Sequence, residues 1–373
     1  MKKRILTMFW YDDAGEVHLF KDVGGIPYAL AKYCGWKATF VYNDINGIIR
    51  NEEYEKYVCL DTIHYPKICY KLKLRYYKYL KVMKYVWNHA PEYDVINFYH
   101  SHRFIRFLCW LAKKSNPKIK TYVKLDMGRA GFEKEINQKN KHTVWENVSL
   151  FTVEANKYVG VLNTLDKFSG KVKYLPNGFF DELSENWGGK DNIILTVGRL
   201  GTYQKNTELL VNALLLVDKN LLKNWKIYLV GPVEPDFEKW FIDKLKNSPI
   251  KDNFILTGNI SNKKELHMLY SKAAIFALPS RFEGFPLVLP EALHYGCYPI
   301  ITDCFAGADE MVLSGYGDII EADEKKWAAA LSCAVNNKKQ IGEKSAEFTE
   351  FINSNFNWRV IAQKLEAYFN ECK

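Results

Sequence analysis

The chain has 373 residues, of which 48% are hydrophobic and 25% charged, and carries a formal net charge of +9. That length exceeds one ordinary core and suits two domains of roughly 150–200 residues each, and the composition excludes a disordered chain. The basic balance favours acidic partners (nucleotide phosphates, anionic lipid or nucleic acid) without choosing among them, while eight scattered cysteines lacking any CxxC pair or zinc-ligand spacing suit a reducing compartment.

The opening MKKRILTMFWYDD has a basic tip and a short apolar run. A secretory signal needs a longer apolar core and a small-residue cleavage site, so Arg4 to Trp10 reads as a first strand. No run of 18 apolar residues occurs, and no membrane span is expected. Short apolar runs then alternate with helical patterns, which signals parallel α/β structure. In the first half the expected strands are ILTMFW, KATFVYN, DVINFY, KTYVKLD, VSLFTV and KVKYL, with helices such as Gly25–Cys34 and Arg103–Lys114 between them. The polar, turn-rich PNGFFDELSENWGGKDN, 176–192, reads as a linker. The second half gives strands NIILTVG, KIYLVG, NFILTG, AIFALP and YPIITD, and helices Lys205–Asp218, Pro235–Lys246, Lys263–Ser271 and Leu287–Tyr295. This run of βα units is expected to be doubly wound. A last helix covers about Trp358–Cys372. The expected domains are 1–178 and 179–355, with 356–373 a helix crossing back to the first. A cleft between two such domains is where a small ligand binds.

Two segments carry chemistry. Glu283-Gly-Phe-Pro-Leu-Val-Leu-Pro-Glu291 follows the strand AIFALP, placing one glutamate in the loop leaving a strand and the other inside the next helix. Gly284 allows close backbone approach to a ligand, and the helix start offers N–H groups to a diphosphate. The second segment is Val197-Gly-Arg199-Leu followed by Lys205-Asn. In a parallel sheet both cations leave the carboxyl edge on the side of Glu283, where they suit a diphosphate. Each residue also has an ordinary reading, as a surface carboxylate or a solvated cation.

Taken in order, these motifs resemble the retaining GT-B glycosyltransferases of glycosyltransferase family 4. The E-x7-E pair, Gly198-Arg199 and Lys205 carry the resemblance, with Pro176-Asn177-Gly178 before the linker, Gly307-Ala-Asp-Glu310-Met-Val late in the chain, and Gly24-Gly25 matching an N-terminal glycine loop. It covers the C-terminal half and is weaker over the first. The resemblance implies two Rossmann-like domains with parallel sheets facing across a cleft, the first binding the acceptor and the second a nucleotide sugar. It further implies that Arg199 and Lys205 neutralise the leaving diphosphate. Glu283, with the backbone of Gly284, Phe285, Pro286, Leu287 and Val288, would hold the donor sugar. Glu291 would bind the ribose, and Gly258-Asn259-Ile260 would lie near the base. Members often place a histidine after an N-domain strand; here the matching segment reads Tyr-Val-Lys-Leu-Asp126-Met, so Asp126 is assigned there, with His100 and His102 as substitutes. Gly24-Gly25 reads equally as a turn, and the two histidines as structural residues.

No Asp-x-Asp occurs, so the expected transferase needs no metal or other cofactor. The expected donor is a UDP-sugar ahead of GDP-mannose. The expected acceptor is a glycan or lipid-linked hydroxyl in bacterial surface polysaccharide synthesis, with the enzyme cytoplasmic. The rival readings are a non-catalytic nucleotide-sugar-binding GT-B scaffold, and a glycoside hydrolase using two carboxylates. No nucleic-acid motif is found, and none is expected as a partner. From Thr62 to Pro91 there are seven Lys or Arg and no Asp or Glu. As a helix over 67–87, Lys67, Lys71, Arg75, Lys78 and Lys81 share one face, with Ile68, Leu72, Tyr76, Tyr79, Met83 and Val86 opposite. That basic face reads either as solvated or as docking on an anionic leaflet, which would make the enzyme peripheral on the inner membrane face.

Overall fold

The computed structural model describes residues 2–12, 14–66, 68, 74–137, 144–180, 189–312 and 315–372. Strands buried on both faces need near-continuous apolar runs, and the first unit supplies them in sequences such as VINFY, buried throughout. Its strands are β1 (Arg4–Phe9), β2 (Lys37–Asn43), β3 (Val58–Ile63), β4 (Val95–Tyr99), β5 (Lys120–Lys124), β6 (Leu150–Val153) and β7 (Val172–Tyr174). They lie in the order β3-β2-β1-β4-β5-β6-β7. The second unit holds β8 (Asp191–Val197), β9 (Lys226–Val230), β10 (Phe254–Gly258), β11 (Ala273–Leu278), β12 (Tyr298–Thr302) and β13 (Asp318–Ile320), in the order β10-β9-β8-β11-β12-β13. Every pairing described is parallel. The strand order reverses between β1 and β4 in one sheet and between β8 and β11 in the other. In open α/β sheets such switch points are where ligands bind, outside the carboxyl ends of the strands.

Two strands are absent from the sequence reading, β3 and β13, and both are sheet edges. An edge strand is covered on fewer sides, so VCLDTI mixes polar with apolar residues and DII is only three residues long. The helix expected from Lys205 begins instead at Thr207, because Asn206 is left-handed (φ 50°) and ends the preceding turn. Its side-chain Nδ2 donates to the Pro279 carbonyl at 3.1 Å, which holds the turn in place.

The two compact units are Met1–Phe180 with Asn357–Lys373, and Asp181–Phe356. The last helix, Trp358–Glu371, therefore belongs to the first unit, where the Trp358 amide donates to Phe179 O at 3.0 Å. It packs on the helix Asp22–Cys34. The site glycines Gly24 and Gly25 lie buried in the first turn of that helix. A Cβ on Gly25 would stand 2.7 Å from the Trp358 ring, and one on Gly24 2.2 Å from the Leu19 carbonyl oxygen. Close packing therefore demands glycine at both positions. Pro27 in the same helix has no N–H for the Val23 carbonyl, and the Tyr99 hydroxyl donates to it instead at 3.0 Å.

The basic helix differs from its expected form. Lys67, Lys71 and Leu72 lie outside the described residues, as does the side chain of Arg75, and the helix runs Arg75–His89. Lys78 is drawn inward, paired with Asp12 and lying 5.1 Å over the Trp10 ring. Lys81 lies over Tyr77. Tyr76, assigned to the covered face, is instead exposed. Among the described residues no helix is long and apolar enough to cross a membrane.

Candidate active site

In the second unit the loops after β8 and β11, neighbours at the switch point, converge. The Lys205 ammonium meets Glu283 Oε1 at 2.6 Å, with the two side chains only 16% and 8% exposed. Ser280 Oγ donates to the same oxygen at 2.7 Å, and Gln204 Nε2 to the other carboxylate oxygen at 3.0 Å. Arg199 donates to Gln204 Oε1 at 2.8 Å, so the guanidinium joins the cluster through this amide. The backbone is held as firmly: the Glu283 amide donates to Cys304 O at 2.7 Å and the Arg281 amide to Gln204 O at 2.8 Å. Lys205, Glu283 and Arg199, three separate expectations, thus form one network. Gln204 and Ser280 were not among them. Their signal was adjacency alone, since each lies within five residues of a named one.

Residues 180–352, nearly the whole of this unit, match the family model described as Glycosyl transferases group 1. The second unit thus resembles a group 1 glycosyl transferase domain. The chain is 29% identical over 208 residues to a Campylobacter jejuni α-1,4-N-acetyl-D-galactosaminyltransferase acting on an undecaprenol-diphosphate-linked saccharide. That alignment covers 53% of this chain and 56% of the relative. It is 36% identical over 124 residues to the Erwinia amylovora amylovoran biosynthesis glycosyltransferase AmsD, covering 33% and 32%. The alignments thus span from about a third to just over half the length of these relatives. Among solved structures, Anabaena HepE in complex with UDP and glucose superposes with a TM-score of 0.68 at 14% identity, over 99% of this chain and 100% of that one. A likeness at that identity speaks for architecture, and the architecture is GT-B: two Rossmann-like parallel-sheet domains.

The other expected residues of the second unit lie on its loops and helices. Gly284 has nothing within 4 Å of a would-be Cβ, so the fold itself makes no steric demand for glycine there. Space of this kind leaves the backbone open to a ligand. Phe285 packs against the Phe305 and Phe356 rings, and Pro286 is buried. Leu287 and Val288 begin the helix Val288–His294, which carries Glu291. Glu291 accepts from the Tyr270 hydroxyl at 3.3 Å. Gly258 ends β10 in the left-handed region (φ 68°), Ile260 is half-buried, and Asn259 is exposed with its amide on Ser261 Oγ. Gly307 caps the short helix Ala308–Met311, which contains Glu310.

Asp126 belongs to the first unit, at the carboxyl end of β5 and in the left-handed region (φ 44°). His100 directly follows the neighbouring strand β4 (φ 63°), and its backbone amide donates to Lys124 O at 2.9 Å. Two such residues on adjacent strand ends are costly for ordinary side chains, and such strain gathers at functional sites. His102 Nε2 lies 3.5 Å from the Tyr11 hydroxyl, and burial and then His100 hold its pKa below the usual histidine value. Around Asp126 stand Asp22, Glu154 and one cation, Lys124, which meets Glu154 Oε1 at 2.8 Å. Burial first, then Asp22 and Glu154, push the Asp126 carboxyl up to about 8. Burial likewise raises Asp22.

A raised carboxyl favours the protonated folded state. Between about pH 4 and 8 the unfolded chain ionises Asp126 while the folded protein keeps the proton, so stability falls as pH rises through that window. The slope is at most about 1.4 kcal/mol per pH unit for one proton. Asp126→Asn is expected to flatten the fall in melting temperature between pH 5 and 8 and to exceed the parent at pH 8. Superimposable pH profiles for the two proteins would refute the assignment.

Proposed function

We propose that the protein moves a hexose from a nucleoside-diphosphate sugar, a UDP-sugar ahead of GDP-mannose, to a hydroxyl of a glycan or lipid-linked acceptor in bacterial surface polysaccharide synthesis. The observation that carries this reading is the Arg199–Gln204–Glu283–Lys205 network at the switch point of a unit that resembles a group 1 glycosyl transferase domain. Support for the setting comes from the relatives, one named for an undecaprenol-diphosphate saccharide and one for amylovoran synthesis. Support for the donor comes from the UDP and glucose of the HepE complex.

In this mechanism the bond from the anomeric carbon to the diphosphate oxygen breaks while negative charge builds on the phosphate. Lys205 and Arg199, fixed beforehand by Glu283 and Gln204, meet that charge without reorganising, the largest contribution a polar site makes. The acceptor oxygen bonds the anomeric carbon from the face the diphosphate leaves, and its proton passes to a phosphate oxygen. Configuration is then retained without a protein nucleophile. Glu283 accepts from donor-sugar hydroxyls, and a protonated Asp126 acts as a hydrogen-bond donor to a sugar oxygen. A glycosidase needs two carboxyls flanking one bond. Glu283 here holds an ammonium and Glu291 a tyrosine hydroxyl, which suits transfer better.

The deciding experiment is a thermal-shift screen of UDP-, GDP- and ADP-sugars. A ligand at 100 times its Kd stabilises the folded state by about 2.7 kcal/mol. One nucleotide class is expected to raise the melting temperature, and Glu283→Gln to reduce that rise for the sugar more than for the bare nucleotide. No shift with any of the three would end the reading.

A further inference from the structure

Two helices of the first unit leave a cationic, aromatic face uncovered. On Arg75–His89 the residues Tyr76, Leu80, Lys84 and Trp87 recur at helical spacing and all point outward, with Tyr76 85%, Leu80 60% and Trp87 50% exposed. On Arg103–Ser115 the matching stripe is Arg103, Phe107, Trp110 and Lys114, all exposed, with Trp110 at 41%. The reverse faces supply the core through Val82, Val86, Ile105 and Leu108. The outward residues are therefore additional to a satisfied interior.

The helices lie side by side. Near their starts the Tyr79 and Phe104 rings are 4.6 Å apart, and near their ends Ser115 Oγ donates to the Trp87 carbonyl at 2.6 Å. The two stripes therefore form one surface. Between them the helices contain eight Lys or Arg and no Asp or Glu. Of these, Lys78 is neutralised by Asp12 and contributes nothing outward. Single exposed hydrophobics are ordinary, but a contiguous aromatic patch rimmed by one sign of charge marks an interaction surface.

We propose that this two-helix face docks the protein on an anionic lipid bilayer. Tryptophan is the side chain best suited to the headgroup boundary, and lysine and arginine stems lie along apolar surface while their heads reach phosphates. Charge complementarity selects the anionic leaflet. The face also adjoins the carboxyl edge of the first sheet: Trp10, just past β1, touches both Tyr79 and Phe104, and His102 directly precedes Arg103. Docking there brings that edge to the membrane surface. The docking surface therefore needs both helices and not the basic helix alone. The proposal stands on this surface and does not depend on the transfer reaction.

The test is flotation of the full chain with phosphatidylcholine vesicles, and with vesicles containing about one-third phosphatidylglycerol, at low and high salt. Binding is expected to the anionic vesicles only and to fall at high salt, as surface electrostatics are screened. Lys84→Glu, Arg103→Glu and Lys114→Glu combined should weaken it by at least about fivefold per cation lost. Trp87→Ser with Trp110→Ser should weaken it at least about tenfold, on the burial of apolar area that each ring loses. All these positions are exposed, so unchanged melting curves are expected and serve as the folding control. Equal flotation on neutral vesicles, undiminished binding by the triple-Glu variant, or no flotation at all would overturn the proposal. Self-association lost in the Trp variant without vesicle binding would assign the face to a second copy instead. None of these results involves a donor sugar, so failure here leaves the transferase reading standing.

Discussion

Lys205→Ala is expected to lower turnover about 10²–10³-fold, a rise in barrier of roughly 2.7–4 kcal/mol. The ammonium is held 2.6 Å from Glu283 in a largely enclosed position, and that pairing sets its place before any ligand arrives. A cation fixed in advance and shielded from water acts more strongly on developing charge than a mobile one. The loss should fall on kcat, because the diphosphate is most negative as the bond to the sugar breaks. A higher KM with unchanged kcat would mean that Lys205 binds ground state and transition state alike. Arg199→Ala is expected to cost a similar amount, since Gln204 ties the guanidinium to the same carboxylate. Assays would use the donor class picked out by the ligand screen. Near-normal turnover in Lys205→Ala would remove this residue from the mechanism.

The other large effect is on stability. Lys124→Met is expected to destabilise the protein by about 3–5 kcal/mol, the usual result of removing one partner of a buried pair. Lys124 is fully buried, 2.8 Å from Glu154, and Asp22 and Asp126 lie close enough to act on both. Burial works against the ammonium, yet Glu154, with Tyr122 and Asp22, outweighs it and raises the Lys124 pKa. Without this cation three carboxyls would share one pocket. The loss should therefore be greater at pH 8 than at pH 5, where the carboxyls more readily hold protons. Lys124→Met combined with Glu154→Gln should recover part of the stability, because the stranded charge is gone. Urea melts of the single and double variants at both pH values measure all of this. A single-variant loss under about 1 kcal/mol would show that the cluster is not held by its cation.

The central strands and the meeting of Lys205 with Glu283 were legible because both are local. β11 is buried at all six positions, and its apolar run AAIFAL says so without reference to anything distant. Glu283 and Lys205 each sit just past such a run, so βα connectivity alone brings them to the same edge of the sheet. The edge strands β3 and β13 were not legible, since an edge demands fewer apolar residues. The packing demand at Gly25 was not legible, because the ring that requires glycine there lies at Trp358, more than 300 residues away. The basic helix was misjudged for the same reason. Its periodicity identified a helix, but Asp12 and Trp10, from another element, decided which cations turn inward.

What the sequence by itself determined was the parallel α/β class, the central strands and the approach of Lys205 to Glu283. These follow from short-range patterns of hydrophobicity and charge, which hold whatever the rest of the chain does. Tertiary structure alone decided that Gln204 joins Arg199 to Glu283 and that Asp126 lies beside Asp22, Glu154 and Lys124, where burial raises its pKa. It also decided that Trp87 and Trp110 are exposed on neighbouring helices. Each of these depends on distances between elements far apart along the chain, and hydrogen bonding, desolvation and exposure are functions of such distances.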